Sequence, residues 1–165
     1  MGNILNTLFK PMSNFLSSPA KRCVILIIIL SVAAGLDFFF LGLARKTFVF
    51  YTIKEGTISV EDRMLKHAKS REDDIIRYTE ETLLGPVSPD LLPLFPRGTR
   101  LKSLLLRDGV VYANLAEDAA FAPAEGGSTL VNFRTFHDSI LRNFSYVKNV
   151  YFFIEGNAVF TEEFQ

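Results

Sequence analysis

Leu101-Lys102-Ser103-Leu104-Leu105-Leu106-Arg107-Asp108-Gly109-Val110-Val111-Tyr112-Ala113-Asn114-Leu115 reads as two β-rich runs folded about one turn. Arg100 to Leu106 and Val110 to Leu115 supply the strands. Between them stands Asp108-Gly109, the dipeptide that a primed hairpin turn requires because both of its residues sit at positive φ. A tight antiparallel hairpin is therefore the expectation, and the rest of the chain is read for what covers it.

On the N-terminal side, Ser70 stands where a helix cap would, with Asp73 three residues on, and Ile75, Ile76, Thr79, Leu83 and Leu84 recur along one face until Gly85-Pro86. This spacing predicts an amphipathic helix. From Gly85 to Thr99 the chain holds Pro86, Pro89, Pro93 and Pro96, four of its 7 prolines, which implies a stiff, irregular connection. Further upstream, Thr47 to Ile53 is a β-branched and aromatic run read as a strand, followed by a turn at Lys54-Glu55-Gly56. Thr57 to Val60 is short enough for a return strand or a loop, the strand being preferred. The charges from Glu61 to Lys69 read as a solvated connector or a helix start.

On the C-terminal side, Ala116 to Gly127 is a loop of small residues. Leu130, Phe133, Phe136 or His137, Ile140, Leu141 and Phe144 then keep helical spacing from Ser128 onward. Val147 to Ile154 closes as a strand ending in Glu155-Gly156, and Asn157 to Thr161 extends it as a further hairpin arm. The sum is an α+β domain with a small sheet of three to five strands packed by two helices, in the order β-(β)-α-β-β-α-β.

Ahead of this domain lies an apolar run, Cys23 to Ala44, long enough as a helix to cross a hydrocarbon core of roughly 30 Å. The reading is a single membrane anchor over 23–44. The competing reading is a cleaved secretory signal, since Lys21 and Arg22 precede the run and small residues lie near Ala33 and Ala44. Asp37 is the one charge inside the span and reads either as a contact for a partner helix or as an acid tolerated near an interface. Residues 1–22 form a short tail with Ile4, Leu5, Leu8, Phe9, Met12, Phe15 and Leu16 at near-helical spacing, interrupted by Pro11. The three-way division is a cytoplasmic tail at 1–22, the anchor at 23–44 and an outer domain at 46–165. By cation bias the orientation is nearly undecided, with Lys10, Lys21 and Arg22 facing Arg45, Lys46 and Lys54.

Charge excludes one class of partner. Lys and Arg total 18 and Asp and Glu total 18, and most of the acids fall after the span, so no nucleic-acid footprint is present. Cys23 is the only cysteine, which rules out an internal disulfide and a thiolate metal site in the outer domain. The residues before it, Pro19-Ala20-Lys21-Arg22, do not form a lipoprotein box.

Leu83-Leu84-Gly85-Pro86, Leu94-Phe95-Pro96-Arg97-Gly98-Thr99, Asp108-Gly109 before Val110 to Leu115, and Val150 to Ile154 with Glu155-Gly156 occur in an order that resembles the GerMN domain family. The similarity covers roughly residues 46–158, and the positions that carry it are Leu84, Gly85, Pro86, Gly98, Thr99, Asp108, Gly109 and Gly156. The resemblance implies a bacterial extracytoplasmic module, usually tethered by a lipid or a membrane helix, without an established catalytic activity. It also implies the orientation, with the outer domain beyond the inner membrane. Some members of the family are similar to ring-building domains, which implies assembly with an envelope protein or with itself. This chain differs from many members in having one domain copy and no lipoprotein cysteine.

The residues offer little chemistry. His67 sits among Lys66, Lys69 and Arg71, and His137 adjoins Asp138, so both are expected as solvated or capping side chains. Ser139, two residues beyond His137 on one helix, faces another direction and makes no nucleophile-base pair. Asp73-Asp74 and Glu80-Glu81 read as solvated helix faces rather than opposed carboxylates. Gly126-Gly127-Ser128-Thr129 opens a helix and offers an anion site only in outline, because the lysine of a phosphate loop is missing. No catalytic, cofactor-binding or metal-binding residue is assigned, and no cofactor is expected. A non-catalytic assembly module at the membrane is the leading reading; a small-molecule or glycan-binding or processing domain near the cell wall is the alternative.

Overall fold

The computed structural model describes residues 19–53, 57–123 and 127–162, and within the first helix the side chains at 37–41 are left aside. The expected tail before residue 19, the side chain of Asp37, the turn at 54–56 and Gly126 lie outside the described residues. The chain divides into two compact units, Met1–Gly42 and Leu43–Gln165.

In the first unit, α1 runs Pro19–Leu41, and its stretch Pro19–Leu36 is long and apolar enough to cross a membrane. The helix starts earlier and ends sooner than the expected 23–44. Pro19 suits a first helical turn, where its missing N–H costs nothing. Gly42 adopts φ +51°, and Leu43 and Ala44 have already entered a strand, in register with Lys66 and Leu65.

The second unit is α+β. Its elements are β1 (Leu43–Thr52), β2 (Ile58–Lys66), α2 (Arg71–Leu84), β3 (Leu91–Leu92), β4 (Leu101–Arg107), β5 (Val110–Leu115), α3 (Thr129–Asn143), β6 (Asn149–Ile154) and β7 (Asn157–Val159). The single sheet of the sequence reading is in fact two, ordered β2-β1-β3 and β4-β5-β6-β7. β5 and β6 pair in parallel across the α3 crossover, while the other pairs are antiparallel.

Each helix packs against both sheets. Tyr78 of α2 stacks on Phe48 of β1 with ring centres 4.6 Å apart, while α2 also lies on β4. On α3, Phe133 and Phe136 meet Phe152 of β6 at 5.0 and 5.4 Å, and the same helix reaches β1. Phe48, Ile75, Tyr78, Phe133, Phe136, Ile140 and Phe152 are fully buried, so the aromatic positions of both helices build one core. Both helices begin at serine caps: Ser70 Oγ accepts from Asp73 N at 3.0 Å and Ser128 Oγ from Val131 N at 3.5 Å.

The expected charged connector at Glu61–Lys69 is corrected: Glu61 to Lys66 continue β2. Arg63 explains why. Its guanidinium lies over the Phe48 and Phe50 rings at 4.7 and 5.7 Å and bonds Glu61 Oε1 at 2.6 Å, so two charges that read as solvated turn inward.

The antiparallel and helical runs give the domain two ends. Leu43, the connection from Lys66 to Arg71, the turn at Arg107–Val110 and the connection from Asn143 to Asn149 share one, which is the end where the chain enters. Three hydrogen bonds tie it together: Leu106 N to Glu72 Oε2 (2.7 Å), Lys148 N to Gly109 O (2.7 Å) and Tyr146 Oη to Arg71 O (3.1 Å). The opposite end carries the loop from Gly85 to Arg100.

Candidate functional site

At that far end, the two ends of this loop, Leu84–Pro86 and Pro96–Thr99, meet. α2 finishes with Leu83 buried and Leu84 turned outward, 76% exposed, although the periodicity had placed both on one face. Gly85 caps the helix at φ +90°, its N–H reaching Thr82 O at 3.1 Å, and a Cβ there would come within 3.3 Å of Pro93 Cβ. A side chain at residue 85 would crowd Pro93, and glycine also suits the positive φ there, so the loop can lie close against the helix end.

The second segment is the Pro96–Thr99 turn. Thr99 N donates to Pro96 O at 3.1 Å, and Thr99 Oγ1 donates to the same oxygen at 2.7 Å. Gly98, at φ +94°, takes the third turn position, where positive φ is needed. Thr99 is buried, whereas Arg97 and Arg100 on either side of it are exposed. Leu84, Gly85, Pro86, Pro93, Arg97 and Arg100 line an open groove of about 420 Å³, and a second hollow of about 400 Å³ continues past Glu80, Arg100 and Leu101. Neither arginine has a side-chain hydrogen bond or ion pair among the described residues.

β2 fixes the groove's outer wall. Arg63 Nη2 donates to Gly85 O at 2.7 Å and Nη1 bonds Glu81 Oε2 at 3.0 Å, while Glu61 Oε2 accepts from Val87 N and Ser88 N at 3.1 Å each. Burial alone would raise the Glu61 carboxyl, yet the bonds from Ser88, Arg63 and Val87 together hold it below the usual carboxylate range. The ion pair thus acts on the backbone of residues 85–88.

Of the sequence-derived motif positions, Leu84, Gly85, Pro86, Gly98 and Thr99 converge on this groove. The others lie elsewhere. Asp108 and Gly109 form the β4-β5 turn at φ +54° and +85°, at the chain-entry end, and Gly156, φ +81°, forms the β6-β7 turn with Glu155. Sequence reasoning passed over Arg97, Arg100, Glu61 and Arg63. Two cations bracketing a Gly-Thr step in a proline-rich loop were the available signal for the first two; nothing local marked the others.

Both histidines, Asp74, Glu81 and Ser139 are committed to structure. His137, expected as a solvated or capping side chain, is instead buried: its Nδ1 lies 3.0 Å from Asp138 Oδ1 and its Nε2 3.0 Å from Asn149 Oδ1, tying α3 to β6. His67 lies 3.3 Å from Asp74 Oδ2, and Asp74 also accepts from Ala68 N at 2.6 Å, so this acid is a capping group rather than part of a free face. Glu81 likewise is held by Arg63. Ser139 Oγ donates to Thr135 O at 2.7 Å. At Gly127 a Cβ would meet Tyr51 Oη at 2.7 Å and Asn132 Oδ1 at 3.0 Å, so that side of the turn is packed. A separate cleft of about 510 Å³ has a mixed lining, with Thr52, Ser59, Glu61, Ser88 and Asp90 beside Val60 and Leu91, and both Glu61 oxygens accept from protein donors. Among the described residues no cluster of His, Cys, Asp and Glu is arranged to hold a metal.

The family model described as "Germane: Sporulation and spore germination" matches residues 48–160. Among solved structures, the tandem GerMN domains of the sporulation protein GerM from Bacillus subtilis are similar at 18% identity and a TM-score of 0.52, over 70% of this chain and 40% of that one. This chain thus spans less than half of the tandem structure. The first GerMN domain of the same protein is similar at 14% identity with a TM-score of 0.49, over 68% of this chain and 85% of that one. No curated protein matches the chain.

Proposed function

The chain belongs to the Germane family of sporulation and spore-germination domains, and we propose that it is a membrane-anchored, non-catalytic module of the bacterial envelope that works by protein-protein association. In this reading α1 holds the chain in the inner membrane, the tail is cytoplasmic and the domain from residue 46 onward lies outside. The partner engages the groove between the end of α2 and the Pro96–Thr99 turn.

One observation carries the reading: the two motif segments at the ends of one loop build a single open groove whose exposed groups are an aliphatic side chain, Leu84, and two guanidinium groups, Arg97 and Arg100, without a side-chain partner among the described residues. Such a surface suits an acidic, partly apolar protein segment, with the apolar contact for affinity and the arginines for orientation. It places no nucleophile, base or opposed carboxylates around a reacting bond, which favours association over the glycan-processing alternative. Tethering raises effective concentration beside another membrane protein, so a modest contact is enough.

The test is a full-length variant carrying Leu84→Asp and Arg97→Glu. Both side chains are exposed, so its unfolding midpoint should stay near that of the parent, while the chain should migrate on native gels of solubilised membranes without its higher-mass complex. A reporter active only outside the cytoplasm, fused after Gln165, should be active. An unchanged complex argues against the groove, and activity only of a cytoplasmic reporter argues against the orientation.

A further inference from the structure

The end of the domain opposite the groove has its own chemistry. Register sets Lys66 opposite Leu43, the first residue of β1, so the connection Lys66–Arg71 is fixed where the chain enters from α1. The Arg71 guanidinium lies 4.9 Å from the Tyr146 ring centre, which joins this connection to the one before β6. Lys148 N bonds Gly109 O at 2.7 Å, which adds the Arg107–Val110 turn. Three connections thus form one surface, and its exposed cations are Lys66, Lys69, Arg71, Arg107 and Lys148.

The acids at this end are mostly spent on structure. Glu72 accepts from Leu106 N and Asp74 from Ala68 N, while Asp62 takes Arg45 and Thr47. Asp108 lies 3.9 Å from Arg107, and Asp73 is exposed. Lys66, Lys69 and Lys148 have no ion pair among the described residues. Beside them stand two exposed apolar side chains, Leu43 and Met64. Lysines and arginines surrounding a small apolar area match the phosphodiester layer of a bilayer.

We propose that this surface binds the headgroups of anionic phospholipids and seats the domain on the bilayer with its groove directed away from it. The proposal rests on α1 being a membrane anchor, and it assigns the five cations a role distinct from partner binding. Each should strengthen the seating roughly five-fold, as expected for a basic residue near an anionic membrane surface.

The test uses the full chain with Cys23→Ser and Ser145→Cys, labelled with a fluorophore at residue 145, which is exposed on the same surface. It is reconstituted into nanodiscs of phosphatidylcholine alone or with phosphatidylglycerol added, both carrying a headgroup-linked quencher. Quenching should be several-fold stronger in the anionic discs. It should fall to the neutral level after Lys69→Glu, Arg107→Glu and Lys148→Glu together, and partway for the corresponding glutamine set, which guards against misfolding by charge reversal. Equal quenching in both lipids, or quenching unchanged by reversal, overturns the headgroup site. Flotation with neutral vesicles after an alkaline wash reads the anchor separately. A chain lost in that wash refutes the anchor, and its binding to anionic vesicles with and without the reversals then decides the headgroup site by itself.

Discussion

Asn143, at the end of α3, engages both backbone groups of Thr47 in β1: its Oδ1 accepts from Thr47 N at 2.9 Å and its Nδ2 donates to Thr47 O at 2.7 Å. One carboxamide thereby stands in for a neighbouring strand. Thr52 N bonds Thr57 O, so the even residues of β1 face β2 and Thr47 faces the other way, beyond the reach of the two-residue β3. Tyr78 Oη donates to the same Thr47 oxygen at 3.0 Å, kept neutral by burial, which pushes its phenol far above the usual value. The helix end, the strand edge and α2 meet at this point.

Asn143→Leu should therefore destabilise the domain by about 1–3 kcal/mol, because it leaves the partly buried Thr47 N–H without a partner and Thr47 O with the Tyr78 hydroxyl alone. Asn143→Asp keeps an acceptor for Thr47 N but sets a carboxylate oxygen against Thr47 O, so its deficit should shrink on acidification, when the acid can donate. Urea unfolding followed by tyrosine fluorescence at two pH values checks both.

The two glycine turns separate strain from crowding. A Cβ at Gly109 would meet Tyr146 O at 3.1 Å, whereas nothing lies within 4 Å of one at Gly156, and both residues have positive φ. Gly156→Ala should cost about 1 kcal/mol from backbone strain alone, and Gly109→Val about 1–3 kcal/mol. Equal midpoints for the two variants would show that crowding at Gly109 is relieved without cost.

Glu61 predicts a pH dependence. Its carboxyl is held below its unfolded value by Ser88, Arg63 and Val87 against the opposing effect of burial, so its contribution is present above the unfolded value and is lost as the pH falls through the folded one. In urea midpoints measured from neutral pH down to about pH 3, a range that crosses the ordinary carboxylate values, Glu61→Gln should be less stable than the parent at neutrality and should narrow that gap on acidification. A constant gap would mean that Glu61 acts by packing alone.

What could be read in the sequence was what is local. The Asp108-Gly109 turn, the Ser70 and Ser128 caps and the apolar spacing of both helices depend on residues a few positions apart, and they mark the elements within a few residues of their ends. The length of β2 was hidden, because Glu61 and Arg63 read as solvent-facing until Phe48 and Phe50 are seen beneath the guanidinium. The second sheet was hidden as well, since the device that ends β1's edge is a side chain 96 positions away. For the candidate site, the motif glycines and Pro86 were visible as turn chemistry. Their meeting with Arg97 and Arg100 across one groove is a tertiary fact.

The central claim is that the domain works by association at this groove. A photo-crosslinking residue placed at Leu84 in the full chain, in intact cells, tests it most directly, with the same residue at exposed Lys102 as the control. The account predicts a discrete adduct with an envelope protein from position 84, absent from position 102 and lost when Arg97→Glu and Arg100→Glu are added to a chain that still folds. No adduct from position 84, or one that survives the loss of both arginines, would contradict it.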